Sequence, residues 1–324
     1  MPCNLRNYGV FIFLFNYKMN EPSFFILKKI TLERPWLERV FRGKYIEYTL
    51  NDSPLFFLKY FKENGYGLPN IIVCRDIYEQ EEIAVYLTKI LNMFQKQSLK
   101  INLIQLGDEF GGKLFFELYE HPAVNKIIRN YCYPYECKEF PEKALDKIYF
   151  FPLGTLHFNE ENSLPNFQER TFVWSFIGRR FFGREYELSF YKNIQPSHCH
   201  ITDEFLSPDA LGPKEYQYFL KNTKFVPTVC GCNPETFRFY EALEFGAIPL
   251  YVRQPYDEIY WSFLKVLFPE LLEISSFQEA VNILSSITTY KSPEEWENYR
   301  ISLYDRWQKI KASPLVKLEN LGKS

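Results

Sequence analysis

No charge of one sign dominates this chain: 38 Lys and Arg stand against 40 Asp and Glu, a formal net charge of -2 over 324 residues. Nucleic-acid binders usually gather cations on one face, so the balance argues against that class. Long apolar runs are also missing. The run Val10 to Phe15 falls short of the roughly 20 residues that span a bilayer, and no small-residue cleavage site follows it as in a secretory leader. It reads as a buried strand, and the chain as cytoplasmic or otherwise soluble. Paired C-X-X-C spacings are absent, and the seven cysteines are an odd number, which suits free thiols in a reducing compartment. Cys132 and Cys137 could pair. There is no repeat of solenoid period and no low-complexity tract.

What is present is aromatic. Phe and Tyr, 32 and 24 residues, are spread along the chain rather than gathered beside basic residues, so they read as core filling. A chain of this length exceeds the roughly 250 to 300 residues at which one core stops growing, and two domains are expected. Short Ile, Val and Phe runs alternate with longer periodic segments, the pattern of parallel sheets with crossover helices. In the first half, strands are expected at Asn70 to Cys74, Ile101 to Leu106, Lys126 to Arg129 and Ile148 to Phe151, with a helix at Glu81 to Phe94. A polar stretch from Asn159 to Arg170, containing Pro165, reads as a linker.

Beyond it the alternation restarts. Strands are expected at Thr171 to Ile177, near His200, at Lys224 to Val229 and at Ile248 to Val252; helices at Glu185 to Lys192, Lys214 to Asn222 and Pro234 to Phe245. Two amphipathic helices, Phe277 to Ile287 and Pro293 to Ile310, close the chain. The expected domains are 1–158 and 171–290, with 291–324 packing back across the two lobes. The fold class is therefore α/β with two parallel sheets facing a cleft, where ligands of open α/β sheets bind.

The segment "CGCNPETFRFYEALEFGAIPLYV", Cys230 to Val252, carries most of the chemistry. Pro234 suits a first helical turn and Asn233 an N-cap. Phe237, Tyr240 and Leu243 share one arc, while Arg238 and Glu241 share the opposite one with Glu235 at its edge. Taken alone, this is an amphipathic helix with solvated charges and an ordinary i, i+3 pair. At a cleft the same residues make a phosphate site: helix N–H groups attract the anion, Arg238 adds a bidentate grip, and Glu241 accepts from two vicinal ribose hydroxyls. Gly178, Arg179 and Arg180, between a strand and a helix, form either a second phosphate contact or a basic surface turn.

"NTKFVPTVCGCNPETFRFYEALEFGAIPLYV" resembles the C-terminal signature of exostosin-like glycosyltransferases: strand, short loop, Ser-Phe-Arg-X-X-Glu-Ala, small-residue turn, Ile-Pro, strand. "IYFFPLG" and "FVWSFIGRR" match that family's Pro-Leu-Gly linker entry and Phe-X-Gly loop in order, and "LIQLGDE" and "KIIRNYC" resemble segments of its N-terminal lobe. The similarity spans Asn70 to Val252. Thr236 stands where the family usually has Ser and keeps the hydroxyl. No membrane anchor or second catalytic module of the family is recognised.

The resemblance implies a GT-B fold, two Rossmann-like lobes with the nucleotide sugar in the second and the glycan acceptor in the first. It places Arg238 on the diphosphate and Glu241 on the ribose, with Glu235 and Thr236 beside them, and favours a UDP-sugar over a GDP-sugar. Family members of this type usually invert configuration, which requires a base. Asp108 or Glu109, in "LGDE", is the expected base, with helix capping as the other reading. No Asp-X-Asp motif is present, so metal is not expected and fixed cations would neutralise the leaving group. The implied activity is transfer of a hexosyl or pentosyl unit to a glycan hydroxyl; a catalytically inactive glycan- or protein-binding module is the alternative. A rival cluster is "HCH" with "CGC": His198 and His200 on one strand face with Cys230 and Cys232 are a four-ligand set for structural zinc, against ordinary packing of buried strands. His157, after Pro-Leu-Gly, reads as a linker residue or as one facing the cleft.

Overall fold

A computed structural model describes residues 23–26, 34–40, 44–47, 52–64, 70–74, 80–107, 115–131, 140–161, 163–181, 183–204, 207–231 and 233–317. Asp108, Glu109, Cys132, Cys137, Cys232 and the run Val10 to Phe15 lie outside the described residues.

The chain is α/β, with two separate parallel sheets. The first contains β1 (Ser23–Ile26), β2 (Lys44–Glu47), β3 (Asn70–Cys74), β4 (Ile101–Leu106), β5 (Val124–Arg129) and β6 (Ile148–Phe150). Their order is β2-β1-β3-β4-β5-β6, every pair parallel. This order reverses direction between β1 and β3, as in other doubly wound sheets. β4 is buried along its whole length, so its apolar run needs no alternation.

The second sheet contains β7 (Phe172–Arg179), β8 (Ser197–Thr202), β9 (Thr223–Pro227) and β10 (Ile248–Leu250), all parallel, in the order β8-β7-β9-β10. It reverses between β7 and β9. Two sequence expectations are corrected here. β7 runs two residues further than expected, so Gly178 and Arg179 end the strand and only Arg180 follows it. β8 is not a buried strand; it lies at the sheet edge, with Cys199 exposed. A helix at Glu258–Leu267 had no expectation: it buries Tyr260, Trp261, Phe263, Leu264, Val266 and Leu267, too much of its circumference to leave a clean polar stripe.

The last long helix, Pro293–Ala312, starts with a capping box in which Ser292 and Glu295 exchange hydrogen bonds. It touches both halves of the molecule. Trp307 stacks on Trp36 of the Arg34–Val40 helix at 5.2 Å and meets Tyr240 of the second unit at 5.4 Å. The Trp307 indole N–H and the Lys311 ammonium both donate to the buried Glu244 carboxylate, each at 2.7 Å. β11 (Val316–Lys317) then adds antiparallel to β6, so the chain finishes on the first sheet.

Candidate functional site

β7 and β9 pair only through Phe172↔Thr223 and Trp174↔Phe225. The next residues in that register, Phe176 and Pro227, are not paired; Pro227 pairs with Leu250 of β10, and the Thr228 N–H donates to the Leu250 carbonyl at 3.1 Å. Beyond the last pair the strands part, and the gap is the floor of a cleft of about 420 Å³ at the carboxyl ends of the second sheet. Ile177, Gly178 and Arg179 come from β7, His200 and Thr202 from β8, and Gly231 to Glu241 from the segment after β9. Tyr131, Leu153, Leu156 and His157 wall it from the side of the first sheet. His157 thus faces the cleft, one of the two alternatives the sequence left open.

The helix that carries Arg238 and Glu241 begins later than expected, at Phe237, and runs to Glu244. Asn233 is not its N-cap; its Oδ1 accepts from the Glu235 N–H at 3.0 Å. Thr236 occupies the cap position in an extended conformation without a capping bond, and its buried Oγ1 has no partner. The reason for the late start is Glu235. One carboxylate oxygen accepts the Leu153 N–H at 2.7 Å and the Tyr240 hydroxyl at 2.6 Å, and the other accepts the Tyr131 N–H at 3.0 Å. The segment is pulled towards the ends of β5 and β6 before it can coil. Glu235 therefore spends its acceptors between the two sheets; burial still pushes its carboxyl up to about 7, against the pull of those three donors.

Arg238 lies on the opposite side of the helix. Its Nε–H and one Nη2–H donate to the Ile177 carbonyl at 3.2 and 2.8 Å, replacing the partner that β9 does not supply. The guanidinium lies 4.1 Å from the centre of the Phe176 ring. A Cβ on Gly178 would sit 2.1 Å from Nη2, so the absence of a side chain there makes room for the cation. Burial draws the guanidinium below its ordinary pKa, and among the described residues no carboxylate reaches it within ion-pair distance. Glu241, one turn on, offsets the Arg238 charge from a distance without an ion-pair contact, so an anion in the cleft is still favoured.

Glu241, one turn further, is 4% exposed, lines the same cleft and accepts the Tyr216 hydroxyl at Oε2. Arg179 also lines the cleft, whereas Arg180 is turned to Glu185 and Asp203 at 3.3 and 3.0 Å. The cleft thus brings together Gly178, Arg179, Glu235, Thr236, Arg238 and Glu241, and leaves Arg180 outside. Several lining residues had no sequence expectation, Arg184 and Tyr216 among them. Arg184 is buried, with Nη1 on the Arg179 carbonyl at 2.6 Å and Nη2 on the Cys230 carbonyl at 3.2 Å, tying the ends of β7 and β9 together. Neither of these two positions carried a motif.

The zinc alternative fares differently. His198 and His200 do share a face, with parallel rings 6.5 Å apart, but His198 lies flat on Phe219 at 3.6 Å, and His200 Nε2 is 2.8 Å from the Asp209 carbonyl oxygen. Among the described residues no group of three His, Cys, Asp or Glu side chains is placed to hold a metal ion. No helix among them is long and apolar enough to cross a membrane.

No protein-family model matches this chain, and no curated protein does. Among solved structures it is similar to one titled "Crystal Structure of alpha1,3-Fucosyltransferase", with a TM-score of 0.44 and 13% identity over 89% of this chain and 83% of that one. At that distance the likeness transfers no chemistry.

Proposed function

We propose that this chain is a glycosyltransferase that moves a sugar from a nucleotide diphosphate to a glycan hydroxyl. The observation that carries the reading is the pair on one face of the Phe237–Glu244 helix: a half-buried Arg238 cation with no carboxylate in ion-pair contact among the described residues, and one turn away a buried carboxylate, Glu241, both lining one cleft. Diphosphate answers the first and ribose hydroxyls the second. Gly178 admits the cation, Arg179 adds charge at the strand end, and the first helical turn offers N–H groups with the Thr236 hydroxyl beside them. The exostosin-like motifs point to the same assignment, with a UDP-sugar as donor.

In this reading Arg238, Arg179 and the helix N-terminus stabilise the charge that develops on the leaving diphosphate. Transfer inverts the sugar, with Asp108 or Glu109 as the base on the acceptor side. The reaction runs without a divalent ion, so activity persists in chelator. A thermal-shift screen of the whole chain against UDP- and GDP-sugars is the direct test. Ligand at about 100 times its Kd raises stability by roughly 2.7 kcal/mol, a shift of several degrees. A flat response to every nucleotide at millimolar concentration sinks the enzyme and leaves a glycan- or protein-binding module.

A further inference from the structure

Glu241 is buried with one donor among the described residues, the Tyr216 hydroxyl. An ionised carboxylate has about four acceptor positions, and leaving most of them empty in a buried site is costly. The remaining positions call for donors from a ligand. A cation would meet them but would be repelled by Arg238, whose own need is for an anion. The ligand that suits both is an anion bearing hydroxyl groups.

We propose that Tyr216 is a positioning residue that fixes the Glu241 carboxylate so that the cleft selects ribonucleotides over their 2′-deoxy forms; this rests on the nucleotide-sugar reading above. Tyr216 comes from the Pro213–Lys221 helix, a different element from Glu241, so the bond holds the carboxylate from outside its own helix. The phenol is itself held: the His157 ring packs on it at 5.3 Å, from the segment that crosses between the sheets. Burial and the neighbouring Glu241 charge keep its proton in place across the working pH range, so it acts as a permanent donor. One lone pair of Oε2 is thereby committed. The others are left in a fixed plane facing the cleft, where two vicinal hydroxyls can donate together.

The test measures, on the full chain, the affinity of UDP and GDP and of their 2′-deoxy forms by titration calorimetry. The wild-type protein is expected to prefer the ribo form by about tenfold or more, the worth of one charged hydrogen bond. Tyr216→Phe keeps the ring and its contact with His157 but lets the carboxylate rotate. It should weaken the ribo form and leave the deoxy form nearly unchanged, so that the preference falls to about twofold or less. Glu241→Gln should lose the preference too, and the double variant should lose no more than either single one, because Tyr216 acts through Glu241. A residue that only supports the fold would weaken both nucleotides equally.

Retention of the full preference in Tyr216→Phe overturns the proposal while leaving the donor site intact. Should that variant fold poorly, Glu241→Gln decides: an unchanged preference there overturns it as well. Wild-type protein that binds none of the four nucleotides removes the donor site itself, and this proposal with it.

Discussion

The two sides of the segment from Pro234 to Glu241 differ in how completely their polar groups are answered. Towards β5 and β6, Glu235 accepts from Tyr131, Leu153 and Tyr240, and the stack Tyr240, Trp307, Trp36 continues that contact into the first unit. Towards the cleft, among the described residues, Thr236 Oγ1 has no partner, Arg238 has no carboxylate in ion-pair contact, and Glu241 has one tyrosine. One side is finished by the protein; the other waits for a ligand. Substitutions on the first should register as folding defects, and on the second as binding defects in a protein that still folds.

Gly154→Ala, on the finished side, should have the largest effect. Gly154 has φ +80°, and a Cβ there would fall 2.2 Å from the Trp36 ring, whose indole N–H is bonded to the Pro152 carbonyl at 2.9 Å. The left-handed backbone and the overpacked indole together cost on the order of 3 kcal/mol or more. The melting temperature should drop by several degrees, read by calorimetry. A variant as stable as wild type would mean that the packing of Trp36 against Gly154 does not hold the fold.

Arg238→Ala is the counterpart in the cleft. Loss of its charged bonds to a diphosphate should weaken nucleotide-sugar binding by roughly 100-fold, about 3 kcal/mol. The ligand-free melting temperature should move little, because the Ile177 carbonyl loses its donor while a desolvated charge is removed. A large fall in stability with unchanged affinity would reverse the comparison.

Glu235→Gln tests the finished side in another way. The amide can accept from one backbone N–H but leaves the second without a partner, a cost of about 1 to 3 kcal/mol. It also removes a titration. The folded protein holds the Glu235 proton up to about pH 7, while an unfolded carboxyl releases it near 4.5. Between those values the folded state binds more proton. The contribution is thus full below pH 4.5 and is lost as pH rises through 7. Melting temperatures taken from pH 5 to 8 should carry this downward slope in wild type, and the Gln variant should lack it. Equal slopes would mean that the carboxyl titrates at its ordinary value.

The sequence showed the two sheets because their strands are buried on both faces and read as short Ile, Val and Phe runs. Arg238 and Glu241 could be picked out because i, i+3 spacing sets them together and away from Tyr240 and Leu243 in the core, although Phe237, expected on that apolar arc, lines the cleft beside them. The partners of Glu235 could not be read. Its partners Tyr131 and Leu153 lie 104 and 82 residues away, and no local pattern announces a carboxylate that bonds backbone across that distance. Tyr216 was hidden for a related reason, since its helix looks solvated in sequence and only the crossing of elements turns the phenol onto Glu241.

Gly178→Ala should have the smallest effect on stability and still tell the two sides apart. Unlike Gly154, Gly178 is not in a left-handed conformation, and the atom in the way is the end of an arginine rather than an indole. The guanidinium can swing aside, at the cost of its bonds to Ile177, about 1 kcal/mol. Its displacement takes the charge out of register with a bound diphosphate, so affinity for nucleotide should fall roughly tenfold while the melting temperature changes by only a degree or two. Combined with Arg238→Ala the substitution should add nothing, because its whole effect passes through that side chain. If Gly178→Ala instead weakens binding further in the Arg238→Ala background, the added methyl meets the ligand directly, and the glycine serves the nucleotide rather than the cation.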